Sequence, residues 1–380
     1  MNQSNLQFIL KEYIDHFLFI NNEKNDETFK WEAAQSFQGF NLDAEDFPTM
    51  LEKMWKASYN LIDNGQQTPF YALVTYAKAD DCDAVRAMFR NLFEKEMASI
   101  EEKQAAIDSF IEESERLRLK YRPDSRLFRN DQHSVMMYLF LHDPEHNYAY
   151  KATQAKSFAD CIGFYDDWGP MHSFKMDVFY KMCDQIASEC RKHDALVETH
   201  KSRYENTTRH LHPDQNLHIL VFDLIYSSQV YDFYNALSFD PITAEARKLY
   251  FERLALAKKL AEEEKKAQSD MDKLAQVKED LSIALTPGTT VHHRIFGDGL
   301  VDSCDGSHMR IHFTKSDKYT SLGIAAAMAS GMFRFSDNNL TERVRIAIPI
   351  LQREIQIPMS LKRASEELDP YRSYLEDTKE

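Results

Sequence analysis

The stretch that decides the fold is residues 242–288, whose sequence is ITAEARKLYFERLALAKKLAEEEKKAQSDMDKLAQVKEDLSIALTPG. No Gly or Pro occurs in it before its last two residues, so the pattern predicts one uninterrupted helix from Ile242 to about Leu285. At about 1.5 Å per residue this helix would span roughly 65 Å. It separates two parts of the chain that differ in composition and in hydrophobic pattern.

The long helix carries an apolar seam that is only half complete. One seven-residue register is occupied by Leu260, Ala267, Leu274 and Leu281. The companion register contains Glu264 and Lys278, and charges at such positions weaken a coiled coil. The pattern therefore favours a connector that packs on one neighbour, or one arm of a helical hairpin, over a dimeric coiled coil. Any oligomer of the chain is expected to form through this helix.

Glycine and charge divide the chain at the same place. Six of the 10 glycines fall between residues 288 and 331, which indicates a helix-rich part before them. Residues 285–380 hold 12 basic and 13 acidic side chains, net −1, so residues 1–284 carry −14 of the formal charge of −15. Because phosphate affinity depends on Lys and Arg, this composition excludes a histone-like or polybasic protein but allows a local nucleic-acid site.

Hydrophobic periodicity predicts an α+β chain that is predominantly helical. Before the long helix, apolar residues recur at steps of three and four, which is typical of amphipathic helices. After Pro287, short alternating runs separated by glycines predict a small antiparallel sheet or barrel. We predict four parts: a mainly helical domain (1–240), a long connector helix (241–286), a small β-barrel-like domain with the segment that follows it (287–364) and a flexible charged tail (365–380).

Residue types at the start of apolar runs predict two helix caps. Asp46 is expected to cap a helix whose first turn contains Pro48. Asn216 is expected to cap the run that begins at Leu217.

Hydrophobic periodicity within residues 1–240 predicts some secondary-structure elements and does not distinguish helix from strand at others. Residues 83–121 and 172–203 have helical patterns, and residues 148–150 alternate like a short strand. The apolar runs at residues 134–141 and 217–228 fit a buried helix or a strand equally well, because periodicity does not separate the two.

Motifs for the common catalytic and cofactor sites are missing from the sequence. It contains no GxxxxGK[ST] loop, no GxGxxG, no GxSxG and no HExxH. Its five cysteines are scattered and include no CxxC, which argues against structural zinc and is typical of reduced thiols. We therefore expect no metal and no cofactor, and binding rather than catalysis, with a nuclease whose site is unrecognised as an alternative.

The sequence also predicts a cytoplasmic protein with no membrane partner. Residues 1–20 include Lys11, Glu12 and Asp15, so they do not form the apolar core of an export signal. No apolar run approaches the roughly 20 residues that a membrane-spanning helix needs.

Short segments between residues 28 and 228 occur in a recognisable order. They are Lys30-Trp31-Glu32, Phe37-Gln38, residues 43–47, Asn60-Leu61, Tyr76-Ala77, residues 85–93, residues 147–151 and residues 217–223. In this order they resemble the N-terminal region that precedes the AAA motor in bacterial McrB-like restriction proteins. The resemblance implies recognition of a target, by analogy modified DNA. Because the chain has no motor domain, it also implies a stand-alone recognition part or an adapter to a separately encoded AAA motor or nuclease.

A second pattern covers residues 286–335 approximately. It consists of Gly288, Val291, His293, Phe296, Gly297, Gly299 and Val301, followed by Ile311 and Phe313. It is similar to the small Tudor- or SH3-like barrel at the C-terminus of UvrD-type helicases and in CarD-like proteins. In those families such barrels dock on RNA polymerase or on other proteins. In such a barrel Val291 and Val301 would face inward on paired strands.

The barrel resemblance also predicts structural roles at the first turn. Phe296 is expected to fill the barrel interior, and Gly297 and Gly299 to allow the turn between the paired strands. His293 is expected to brace that turn rather than to take part in chemistry.

The residues singled out for nucleic-acid contact combine basic and aromatic side chains. Arg86 and Arg90 lie one helical turn apart, and Tyr148, Tyr150 and Lys151 form a second group. Such groups supply the phosphate contacts and base stacking that nucleic-acid binding requires. The alternative for the two arginines is a structural role, in which they pair with acidic neighbours.

The leading hypothesis is a non-enzymatic recognition or adapter protein of a restriction or anti-phage defence system, which acts on DNA or on a partner protein. The alternative from another class is a transcription- or repair-associated protein whose barrel docks on RNA polymerase or a helicase.

Overall fold

The computed structural model describes residues 1–63, 67–170, 173–205 and 207–376 of the chain. It divides into two compact units, Met1–Arg247 and Lys248–Glu380. The first is built from helices, and the second combines helices with one small sheet. The predicted α+β, predominantly helical class is therefore confirmed. Because the boundary falls inside the long helix, most of that helix belongs to the C-terminal unit.

The N-terminal unit is formed by helices α1 to α12. Their bounds are α1 Gln3–Asp15, α2 Phe17–Ile20, α3 Phe29–Phe37, α4 Phe47–Ile62, α5 Pro69–Lys78, α6 Cys82–Phe93, α7 Ile100–Tyr121, α8 Gln132–His142, α9 Ala152–Ile162, α10 Met176–Lys192, α11 Asp194–Ser202 and α12 His218–Val230. One hydrophobic core runs through them from Leu6 to Phe233.

Two N-terminal caps explain where helices of this unit begin. The Asp46 carboxylate accepts a hydrogen bond at 3.1 Å from the backbone amide three residues on, with Pro48 in the first turn, so the predicted cap is confirmed. Ser99 and Glu102 form a reciprocal capping box at the start of α7. Because of this box, residues 83–121 form parts of two helices and not one continuous stretch.

The two undecided apolar runs are both helical. Residues 134–141 lie in α8, and residues 217–228 end up almost entirely in α12. Every residue of the first run is buried, as are residues 217–225 of the second. A helix that is buried all round has no polar stripe, so its sequence carries no 3.6-residue signal.

Three local expectations are corrected. Residues 148–150 belong to no strand of the described chain. The pattern at residues 172–203 breaks at His193 into α10 and α11, and its first residue lies outside the described residues. Asn216 does not cap α12, because Asp214 accepts the amide hydrogen bonds of Ile219 and Leu220, both at 2.9 Å, and takes that role.

The C-terminal unit contains most of the long helix, one sheet and a group of shorter helices. Its elements are α13 Ala244–Ala284, β1 Thr290–His293, β2 Gly297–Cys304, β3 His308–Phe313, β4 Lys318–Gly323, α14 Ile324–Ala329, β5 Phe333–Phe335, α15 Asn338–Leu351, α16 Gln356–Leu368, a 3-10 turn Asp369–Tyr371 and α17 Arg372–Glu376. The single long helix predicted from residues 242–288 is confirmed by α13.

The sheet is antiparallel throughout, with the strand order β4-β3-β2-β1-β5. Its buried side shares one hydrophobic cluster with the end of α13: Leu274 and Leu281 of the seam pack with Val291, Val301 and Ile311. The C-terminal half of the seam is therefore covered by the core of the sheet.

The remaining length of α13 is flanked by helices from the end of the chain. The ion pairs are Asp270–Arg353 at 2.8 Å, Lys278–Glu354 at 2.6 Å and Glu264–Arg372 at 2.6 Å. Residues of the same chain thus lie beside α13 at positions 264, 270 and 278.

Residues 365–376, expected to begin a flexible charged tail, are helical. Both terminal nitrogens of the Arg372 guanidinium bind Glu264, at 2.6 and 3.2 Å, and the Tyr374 hydroxyl accepts a hydrogen bond from Arg253 at 2.9 Å. The expectation of a flexible segment was wrong because amino-acid composition gives the charge of a segment and does not identify the distant side chains that bind it.

The predicted roles in the sheet are confirmed for its two valines and for His293. Val291 and Val301 are buried. The His293 Nδ1 accepts hydrogen bonds from the amides of Ile295 and Phe296, both at 3.2 Å, so it braces the turn between β1 and β2.

The two glycines of this turn have different roles, and Phe296 does not fill the interior. Gly297 has a φ of +76°, which suits the turn. Gly299 allows close packing instead, because a Cβ there would lie 2.8 Å from Ile311 Cγ2 and 2.9 Å from Phe313 Cδ1. Phe296 is 41% exposed, and its ring lies at the surface with its centroid 5.2 Å from that of Phe313.

Replacing Gly299 with Ala is expected to lower the free energy of unfolding by about 1–3 kcal/mol, because the added methyl group must displace β3. Gly323→Ala is the matched control, since a Cβ there would have no neighbour closer than 3.7 Å. Urea denaturation of both variants measures the difference. Equal midpoints for the two variants would contradict the close approach of β2 to β3.

Candidate functional site

The predicted group at residues 148–151 lies inside the N-terminal unit. Tyr148 and Tyr150 are buried, and the Tyr148 hydroxyl donates to Asp184 at 2.8 Å. Lys151 donates to the Leu61 carbonyl at 3.0 Å, and burial lowers the pKa of its ammonium group to about 8. These three side chains hold core contacts, so their placement does not support the predicted role in stacking bases or binding phosphates.

Arg86 and Arg90 lie together on α6, where both hold one loop. Arg86 donates to carbonyl groups of the loop at residues 42–44, and Arg90 pairs with Asp43 at 2.8 Å. These contacts favour the structural alternative for the two arginines. In the described chain no hydrogen bond or ion pair joins them to the group at residues 148–151.

A buried ionic network occupies the centre of the N-terminal unit. Lys30 of α3 and Asp223 of α12, which are 1% and 0% exposed, form a direct ion pair. Lys30 also pairs with Glu27 at 2.8 Å. Arg203 lies 3.7 Å from the second Asp223 oxygen, to which the Tyr13 hydroxyl donates at 2.5 Å. Two cations and two carboxylates therefore balance each other out of contact with water.

Neighbouring side chains close the network. Arg203 donates to Asn21 at 2.5 Å and to Thr28 at 2.7 Å, and its guanidinium carbon lies 3.7 Å from the centroid of a Trp31 ring. Burial, followed by the charge of Asp223, raises the pKa of the Tyr13 hydroxyl well above its usual value. These groups are sealed inside the fold, so the network positions helices and offers no access to a ligand.

A second buried carboxylate lies beside this network. Asp214 receives the Trp31 indole N–H at 3.3 Å, and the His200 Nε2 is 3.7 Å away. Burial raises the pKa of Asp214 to about 7 and lowers the pKa of His200 to about 3. Because both groups are buried, their shifted pKa values affect the pH dependence of folding.

An open polar cavity of about 410 Å³ lies at the surface of the N-terminal unit. It is lined by Gln35, Tyr204, Thr207, Arg209, His210 and Leu211. Arg209 already binds Asp26 and, at 2.6 Å, Glu32. Its charge is therefore balanced, and no unpaired Lys or Arg is present among the described residues that line the cavity.

The solvent-facing side of the C-terminal sheet carries a row of large side chains. Strand registers place Leu300 opposite His312 and His312 opposite Tyr319, across β2, β3 and β4. The rings of His312 and Tyr319 stack with centroids 4.7 Å apart, and the Arg310 guanidinium carbon lies 4.7 Å from the Tyr319 centroid. Tyr319 is nevertheless 54% exposed. We call Leu300, Arg310, His312 and Tyr319 the sheet row.

Further exposed side chains lie at the β1–β5 side of the sheet. The Arg294 amide donates to the Met332 carbonyl at 2.7 Å, and the turn after it exposes Ile295 and Phe296. Next to them, His292 lies opposite Arg334 in the register of β1 and β5. Apolar side chains are thus presented beside basic side chains that pair with carboxylates, namely His292 with Asp298, Arg310 with Asp302 and His312 with Asp317. Such a mixture is typical of a binding surface.

Residues that would indicate a metal centre or a membrane span do not appear in the described chain. Within it no three His, Cys, Asp or Glu side chains are grouped so that they could hold a metal ion. No helix among the described residues is long and apolar enough to cross a membrane. Comparisons with protein-family models, with curated proteins and with solved structures gave no match to this chain.

The sequence signal for the sheet row is an alternation of side chains along one strand, not a motif. His308, Arg310 and His312 alternate with the buried Met309 and Ile311, as expected for a strand with one solvent face. What the sequence could not supply is the register that places Leu300 and Tyr319 beside them.

Replacing Lys30 with Met is expected to lower the free energy of unfolding by about 3–5 kcal/mol, because it leaves two buried carboxylates, Asp223 and Glu27, with Arg203 as the one remaining cation of the network. Lys53→Met, at an exposed position of α4, is the control and should change stability by about 0.5 kcal/mol or less. Denaturant titration measures both. A cost below about 1 kcal/mol for Lys30→Met would contradict the assignment of the network as a buried, charge-balanced unit.

The free energy of unfolding is expected to fall as the pH drops from about 6.5 towards 4. Burial lowers the pKa of His133 to about 4 and that of His200 to about 3, so the unfolded chain binds protons that the folded chain resists. Asp214, whose pKa is raised, acts in the opposite direction and offsets part of this fall. Denaturant titrations at several pH values measure the slope.

The matched variant for this pH dependence is His133→Asn, which keeps a side-chain N–H for the Tyr150 carbonyl. Its stability should depend less steeply on pH between 6.5 and 4 than that of the unmodified chain. An unchanged slope would show that His133 titrates normally in the folded protein.

Proposed function

We propose that this chain is a non-enzymatic recognition or adapter protein of a bacterial restriction or anti-phage defence system, which binds DNA or a separately encoded motor or nuclease. The resemblance of residues 28–228 to McrB-like recognition regions supports the system. The sheet row supports the mode of action, because it offers a surface that binds without reacting.

The observation that carries the proposal is the exposure of apolar side chains on one small sheet. Of the large exposed hydrophobic residues, those in the sheet and its turns are Ile295, Phe296, Leu300, Tyr319 and Met332. The outer face of an antiparallel sheet is ordinarily polar, so such a concentration is typical of a protein interaction site. Arg310 and Tyr319 are also residue types that often dominate binding energy at interfaces.

The same surface supports the alternative function, docking of a transcription- or repair-associated protein on RNA polymerase or a helicase. The two functions share the docking mode and differ in the partner. The identity of the captured protein therefore separates them: a motor or nuclease supports the defence role, and a polymerase or helicase supports the alternative.

The test is a quantitative affinity capture that compares the full chain with a Leu300→Asp, Tyr319→Ala double variant. A partner that docks on the sheet row should be recovered with the unmodified chain and reduced about thirtyfold with the variant, as expected for loss of about 2 kcal/mol at an interface centre. Ile346→Asp, on the exposed face of α15, is the control and should leave recovery unchanged.

Thermal melting of all three baits establishes that the substitutions leave the fold intact. Equal recovery of every partner by the double variant and by the unmodified chain would contradict docking through the sheet row.

A further inference from the structure

Three aromatic rings form a half-exposed cluster where α4 lies against α5. The centroid of the Trp55 ring is 4.9 Å from that of Tyr71 and 6.0 Å from that of Tyr59. Tyr59 and Tyr71 are 37% and 42% exposed. The Trp55 indole is fixed in place because its N–H donates to the buried Asp63 carboxylate at 2.7 Å. We call Trp55, Tyr59 and Tyr71 the aromatic platform.

The most basic segment of this acidic chain spans the end of α7 and the turn after it. Residues 116–129, RLRLKYRPDSRLFR, hold six basic side chains and one acidic side chain, whereas the whole chain has a net charge of −15. Arg116, Arg118 and Lys120 pair with carboxylates near the end of the helix. That part of the charge is therefore structural and complements the C-terminus of α7.

The charge beyond the helix is different, because it is presented to solvent. Arg122 and Arg126 are exposed, and neither makes an ion pair with a carboxylate of the described chain. Arg129 is 56% exposed and shares Glu115 with the buried Arg118, at 3.1 Å. We call residues 122–129 the basic turn.

A buried side chain builds the basic turn. One terminal nitrogen of Arg118 donates to the carbonyl groups of Arg122, Pro123 and Ser125, at 3.1, 3.1 and 2.7 Å. The buried Arg118 side chain therefore fixes the backbone that carries Arg122 and Arg126. The exposed guanidinium groups thus extend from an ordered turn.

Two hydrogen bonds join the basic turn to the helix that carries part of the aromatic platform. The Thr68 amide donates to the Leu127 carbonyl at 2.9 Å, and the Asn130 side chain donates to the Pro69 carbonyl at 3.2 Å. Tyr71 follows these residues in the first turn of α5. The C-terminal end of the basic turn therefore lies at the N-terminus of α5, the helix whose first turn carries Tyr71.

We infer that the aromatic platform and the basic turn together form a binding site for single-stranded nucleic acid. Exposed rings stack on unpaired bases, and arginines without a carboxylate partner bind the phosphates that link them. The inference rests on the proposed role as a recognition protein and names its target class. Duplex DNA fits less well, because its bases are already stacked on each other.

Fluorescence anisotropy with labelled dT20 and U20 at about 50 mM salt tests the inference on the full chain; the two probes distinguish DNA from RNA, and binding of either supports it. Tyr71→Ala is expected to weaken binding about five- to hundredfold, the range for loss of one stacked base. Arg122→Glu with Arg126→Glu should weaken it at least about tenfold and lower the salt dependence of log K by about 1.4. That change in slope would not arise from a structural defect.

Matched controls lie in the C-terminal unit. Lys315→Glu with Arg343→Glu repeats the charge change at two exposed positions, and Phe251→Ala removes an exposed aromatic ring that lies outside the sheet row. Both controls should bind dT20 as the unmodified chain does, and melting temperatures establish that all variants fold.

Three results would overturn the inference. They are failure of the unmodified chain to bind dT20 and U20 at low salt, unchanged binding by the two test variants, and displacement of bound dT20 by duplex DNA or poly-glutamate as effectively as by unlabelled dT20. The last result would assign the surface to duplexes or to acidic proteins. Any of them leaves the capture experiment on the sheet row unaffected, so the target class and the adapter role fail separately.

Discussion

The fold of the N-terminal unit depends on the salt bridge between Lys30 and Asp223, which joins α3 to α12 across 193 positions of sequence. Burying these charges is unfavourable unless each finds a partner, so α1, which carries Tyr13, and the loop residues Glu27 and Arg203 must also converge on this point. The constraint is geometric as much as energetic. It fixes which helices are neighbours, and it keeps the strongest electrostatic interactions of the unit away from any ligand.

We propose that recognition is left to surfaces that the core does not use. In the N-terminal unit these are the aromatic platform and the basic turn, and in the C-terminal unit the sheet row. Each combines rigid rings with arginine, a pairing that gives contact area at a small loss of conformational freedom. An acidic chain can present such surfaces because attraction for phosphate or for a partner is decided locally, within roughly the 8–10 Å over which salt screens charges.

The sequence predicted the features that depend on neighbouring residues. The length of α13 follows from the absence of Gly and Pro, and the cap at Asp46 from the residue type that precedes Pro48. Features that depend on contacts between residues distant in sequence could not be predicted from the sequence. Tyr148 is of a residue type that stacks on bases, and only the fold shows that it is buried. Asp214 reaches past the nearer Asn216 to cap α12, because Leu217, the residue before the helix, is left-handed and turns the chain.

The pairing of Arg372 with Glu264 has a practical consequence for anyone who shortens the protein. The charged composition after residue 364 invites removal of the C-terminus as dispensable, yet these residues lie along the middle of α13. Truncation there would uncover a stretch of the helix, from Glu262 to Lys266, in which every residue is charged and no apolar side chain is available for packing. The residues around Arg372 and Tyr374 thus support the middle of α13.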